Sequence, residues 1–244
     1  MNQLEIDIGL QAVSFTRPST YYFAEGSTRP GFEPYLCIAN PGEAEAVVAI
    51  DYMLGDGTTR EQYLAVPPAS RATVPVASVL GSAGDTAHDF SAVVTCTNGQ
   101  VIVAERPMYF DYRPGILDTT GGPPSWTGGH CVVGAPSPAN AWYFAEGNTR
   151  FGFDEWLTIQ NPNDVPITVD AEYRFAPGQG DPVTRTYSVE PGRRHTVFVA
   201  DEVGVGKDVS VQLASTASFL AERPMYFDYG GMWDGGHDVV GLGR

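Results

Sequence analysis

At 244 residues the chain has room for one large domain or for two that each bury a core, and its 28 Gly and 19 Pro fit many short strands joined by turns. A net charge of −15 with only 14 basic residues excludes nucleic-acid binding, which needs a basic stripe to neutralise phosphates. No run approaches the roughly 20 apolar residues that span a bilayer.

Residues 1–14 open with Ile6, Ile8 and Leu10 alternating, a strand pattern expected to pair with an open sheet edge of this chain or of another one. The stretch is acidic and lacks the apolar core of a leader peptide. The preferred expectation is an extracellular or cell-surface location, as part of a secreted protein; if Met1 is the native start, the expectation is cytoplasmic.

Next comes Tyr22-Phe23-Ala24-Glu25-Gly26-Ser27-Thr28-Arg29, which recurs as Tyr143-Phe144-Ala145-Glu146-Gly147-Asn148-Thr149-Arg150. Asn40-Pro41 recurs as Asn161-Pro162, and Ala104-Glu105-Arg106-Pro107-Met108-Tyr109-Phe110-Asp111-Tyr112 recurs unchanged from Ala221 to Tyr229. Trp126-Thr127-Gly128-Gly129-His130 recurs as Trp233-Asp234-Gly235-Gly236-His237, so the same blocks run twice in the same order. The stretch from Pro114 to Ser125 reads as a long loop before the closing strand of the first copy.

Between these blocks the hydrophobic period is two, as in Val48, Ile50 and Tyr52 and again in Val169, Ala171 and Tyr173. Further strands are expected at Gln62 to Val66, Thr73 to Val76, Ser91 to Cys96 and Val101 to Ala104, with one helical turn each at Val76 to Leu80 and Ala200 to Val203. The expected fold is all-β: two tandem antiparallel β-sandwich modules, jelly-roll or Ig-like, of about seven to eight strands each. The modules are expected at residues 15–134 and 135–244, after the extension at residues 1–14. Cys37, Cys96 and Cys131 cannot all pair within one chain; Cys37 and Cys96 read as buried thiols, with a disulfide between them as the alternative.

The order Ala24-Glu25-Gly26, Cys37-Ile38-Ala39-Asn40, Val66-Pro67-Pro68-Ala69-Ser70-Arg71-Ala72-Thr73, then Asp89-Phe90-Ser91-Ala92-Val93-Val94 and Val101-Ile102-Val103 resembles the sensory rhodopsin transducer family. That resemblance implies a small soluble β-sandwich that oligomerises without enzymatic activity. The duplication and the Glu-Arg-Pro-Met-Tyr and Gly-Gly-His blocks depart from it. Together with Tyr-Phe-Ala-Glu-Gly, those blocks look like an uncharacterised repeat of multidomain bacterial surface or secreted proteins.

Polar residues kept in both copies are the candidate site: Glu25/Glu146, Arg29/Arg150, Arg106/Arg223 and His130/His237, with Tyr109/Tyr226 and Trp126/Trp233 as stacking faces. Carboxylates and Arg forks with aromatic rings suit a glycan. The competing structural reading makes Glu25 and Arg106 an ion pair between strands and each His a strand cap, and it is the preferred one. Arg71/Arg194, Glu105/Glu222 and Asp111/Asp228 are shared as well.

No zinc-ligand spacing, nucleophile elbow, P-loop or dinucleotide fingerprint is present, so no metal, cofactor or catalysis is expected. The expected function is a non-catalytic repeat of a surface, adhesion or assembly protein that contacts other chains or copies of itself and binds glycans. The alternatives are a transducer-like module that relays a signal through a partner protein and, more weakly, a glycan-active enzyme using Glu25 and Glu105.

Overall fold

Period-two alternation turns most of the described residues into strands in a computed structural model that describes residues 19–112 and 126–244. The expected N-terminal strand and the Pro114–Ser125 loop lie outside the described residues. The first-copy strands are β1 (Thr20–Phe23), β2 (Phe32–Asn40), β3 (Ala46–Leu54), β4 (Thr59–Val66), β5 (Ser70–Pro75), β6 (Phe90–Cys96), β7 (Val103–Tyr112) and β8 (Trp126–Val133). They form two antiparallel four-stranded sheets, in the orders β1-β6-β3-β4 and β5-β2-β7-β8. Phe23, Val48, Ile50, Tyr52 and Val94 of one sheet close on Leu36, Ile38, Val74, Ala104 and Val132 of the other. Each strand thus has a dry face and an outer face, the arrangement of a sandwich.

The second copy repeats this plan with β9 (Ala139–Phe144), β10 (Phe153–Asn161), β11 (Ile167–Phe175), β12 (Val183–Val189), β13 (Arg193–Phe198), β14 (Val209–Tyr229), β15 (Trp233–Val240) and β16 (Leu242–Gly243). The first half of the 21-residue β14 pairs with β11 and β9, as β6 pairs with β3 and β1; its second half pairs with β10 and β15, as β7 pairs with β2 and β8. The two sheets are therefore joined through one strand. The break that separates β6 from β7 shrinks here to a register shift between Ala214 and Phe219. The two expected helical turns are present as α1 (Ala77–Leu80) and α2 (Val199–Val203).

The Asn-Pro pairs fix equivalent turns. Asn40 Nδ2 donates to the carbonyls of Ala44, Val66 and Pro67 at 2.8, 2.9 and 3.1 Å. Asn161 Nδ2 donates to those of Val165, Val189 and Glu190 at 2.9, 2.9 and 3.1 Å. Buried backbone oxygens at the ends of strands are satisfied by one side chain, as such groups must be.

All three cysteines are free. Cys96 is buried in the first core, whereas Cys37 is only half-buried on the outer face of β2, so the two thiols lie on different sheets.

Candidate functional site at the seam between the copies

Sheet β5-β2-β7-β8 runs beyond the end of its own core. On its inner face Arg106, Met108 and Phe110 of β7 continue the row begun by Ile102 and Ala104, yet they are fully or almost fully buried. What covers them is the outer face of the second copy's sheet β13-β10-β14-β15. The front of the first copy thus meets the back of the second, so the contact joins unlike surfaces.

At its centre Tyr226, on the back of β14, enters an aromatic cage on the first copy's front. Its ring stacks on Trp126 at 5.4 Å and meets Phe110 and Phe32 edge-on at 5.1 and 5.9 Å, with His130 at 6.4 Å. Such edge-to-face and offset pairs add to area burial. Tyr226 is 5% exposed and Trp126 7%.

Beside the cage lies a buried charge cluster. Arg106 Nη2 donates to Asp238 at 2.5 Å and Nη1 to Glu222 at 3.2 Å, while Glu222 Oε1 accepts from the Ala24 backbone N–H at 2.9 Å. Burial opposes the Arg106 charge, but Glu222, Asp238 and Glu25 hold its pKa above the ordinary value. Burial and neighbouring Asp238 push Glu222 well up. Asp238, which burial would raise, is held below its usual value chiefly by Arg106. Across the seam Arg194 donates to the carbonyls of Gly26 and Phe90 at 2.8 and 2.7 Å and to the Glu25 carboxylate at 3.2 Å.

The preferred ion pair between Glu25 and Arg106 takes a different form. Arg106 reaches the Glu25 backbone carbonyl, and the Glu25 carboxylate faces Arg194 of the other copy. The direct pair exists in the second copy, where Arg223 meets Glu146 at 2.8 Å. Arg29 and Arg150 are held by equivalent acids, Asp89 and Asp208. Burial and the Arg106 charge push His130 down to about 4, which keeps it neutral, and His237 is shifted down by burial and Arg223. Tyr109 is 57% exposed and Trp233 59%, both away from the seam. Glu105 is exposed on the opposite side of β7 from buried Arg106, so it does not face Glu25.

A pocket of about 160 Å³ opens in the seam, walled by Phe32, Trp126, Trp156 and Tyr226 with Glu25 and Arg29 among its polar lining. Four of the residues expected from the sequence meet here: Glu25, Arg29, Trp126 and Tyr226. Trp156 and Asp238 escape a search for shared residues because the first copy has Tyr35 and Cys131 in their places. No group of three or more His, Cys, Asp or Glu side chains suited to a metal occurs among the described residues.

No family model and no curated protein matches the chain. Among solved structures, a Thermotoga maritima protein is 18% identical over 44% of this chain and 97% of its own, with a TM-score of 0.40. An Anabaena sensory rhodopsin transducer is 24% identical over 39% of this chain and 86% of its own, with a TM-score of 0.31. The N-terminal CBM22 tandem domain of Xyn10C from Paenibacillus barcinonensis is 9% identical over 86% of this chain and 78% of its own, with a TM-score of 0.22.

Proposed function

We propose that this chain is a non-catalytic repeat unit of a surface or assembly protein, built from modules at residues 15–134 and 135–244 that stack front to back. The observation that carries this reading is the seam, where Arg106, Glu222 and Asp238 lie almost wholly out of water between the copies. A contact that buries charges so completely suits a fixed joint better than a hinge. Arg106→Met strands two buried acids, so it should cost about 3–5 kcal/mol and split thermal unfolding into two transitions, read by calorimetry. A variant that melts in one step at the wild-type temperature would overturn the joint.

A second reading, glycan binding, is favoured by the seam pocket. Four aromatic walls beside the Arg29–Asp89 pair suit the apolar face and hydroxyls of a single sugar ring. On a glycan array, Trp156→Ala should lose whatever signal the parent protein gives. Signal that survives the change places sugar recognition elsewhere.

A further inference from the structure

The seam joins a front to a back, and the chain exposes one more of each. On the front of the second copy, Phe153, Phe227, Trp233 and His237 occupy the positions that Phe32, Phe110, Trp126 and His130 hold in the first. The walls of this second cage have the same spacing. Phe153 and Phe227 lie 5.8 Å apart against 6.3 Å for Phe32 and Phe110. Phe227 and His237 lie 6.3 Å apart against 6.0 Å for Phe110 and His130. Among the described residues no tyrosine from the other copy enters it; Tyr229 of its own hairpin lies 5.4 Å from Phe153 and stacks on Trp233 at 6.0 Å, with Tyr229 and Trp233 both more than half exposed.

The matching knob stands on the back of the first copy. Tyr109 is the counterpart of Tyr226, on the same strand position opposite a glycine, and its ring projects from the outer face. Around it the back carries Arg71 and Glu105 where the second copy has Arg194 and Glu222, both exposed. On the free front Glu146 is more than half exposed and in position to face Arg71, whereas Arg223 is already buried against Glu146 and is not open to Glu105.

We propose that a second copy of this chain docks there, its Tyr109 entering the cage of Phe153, Phe227, Trp233 and His237 and taking over the face of Trp233 that Tyr229 covers. This deepens the assembly reading and rests on it. A contact between unlike surfaces repeats until it closes a ring or runs on as a filament. Cys131 stands where the internal seam has Asp238, so the docked pair lacks one carboxylate and is weaker than the joint within the chain.

The test is light scattering over a rising concentration series with the full chain. The parent protein should gain mass with concentration. Tyr109→Ala, which removes the knob, and Trp233→Ala, which removes a cage wall, should each stay a single chain, since both residues are exposed and the fold does not lean on them. Mixed in equal amounts, the two variants should form a two-chain species, because one supplies an intact front and the other an intact back. Tyr226→Ala, in the internal seam, is the control for the reading beneath. A parent protein that stays a single chain at every concentration while Tyr226→Ala lowers the melting temperature overturns the docking and leaves the internal joint standing. Loss of both effects removes both. Self-association that Tyr109→Ala leaves intact assigns it to another surface and likewise overturns the proposal.

Discussion

Glu155 stands where the first copy has Pro34, and the exchange puts a carboxyl in a closed place. It is fully buried against Gly147, where an added Cβ would lie 2.3 Å from its Oε1. Burial pushes its pKa up to about 8; Arg223 and the Asn148 backbone pull it back and Glu146 adds to the rise. An unfolded carboxyl titrates near 4.5, so between there and about 8 the folded chain keeps a proton that the unfolded one releases. Stability from this group is present below the lower value, falls as pH rises through the window, and levels off above the upper one. Glu155→Gln should match the parent near the acid end and exceed it by on the order of 3 kcal/mol at neutral pH, measured by urea denaturation as a function of pH. Equal pH profiles for the two proteins would show that Glu155 is ionised in the fold at no extra cost. The duplication points to residues shared by the copies, so it reveals Glu25, Arg106 and Tyr226 and hides Glu155, Trp156 and Asp238, whose counterparts are Pro34, Tyr35 and Cys131.

Elements were legible where local chemistry alone decides them. The two Asn-Pro turns are marked by the side chain that closes them, and the strand alternation follows from one wet and one dry face. The turn after β4 shows the same logic in backbone terms. Ala69 adopts φ 48°, and its counterpart after β12, Gly192, has φ 60°, so the left-handed position is kept even where a side chain makes it costly. What periodicity does not reveal is continuity between sheets. Residues 97–102 hold β6 and β7 apart, whereas in the second copy the shorter connection runs on as the single strand β14 across a register shift between Ala214 and Phe219. Which face of a strand meets another copy is also absent from the pattern. Glu222 and Glu105 read alike in sequence, yet one is 1% exposed in the seam and the other is exposed on the back, because only one has a neighbour in front of it.

For the whole molecule, that difference in surroundings can be tested at one pair of equivalent glycines. Strands β8 and β15 approach so closely that a Cβ at Gly128 would lie 3.3 Å from the Gly235 Cα. At Gly236 a Cβ would meet Phe110 Cζ at 2.9 Å, Tyr226 Cδ1 at 2.9 Å and the Met225 carbonyl at 3.0 Å. Phe110 and Tyr226 are locked in the cage, so nothing there can give way without parting the copies. At Gly129, its counterpart, the nearest atom is Tyr109 Cδ1 at 2.8 Å, on a ring that can swing into solvent. Gly236→Val should therefore cost about 1–3 kcal/mol by overpacking and lower the melting temperature, while Gly129→Val should leave it nearly unchanged. If a second copy docks as proposed, Gly129→Val should also abolish the growth of mass with concentration, since the incoming cage meets the same obstruction from outside. Equal destabilisation by the two substitutions would mean that the copies do not meet front to back, whatever their sheets look like singly.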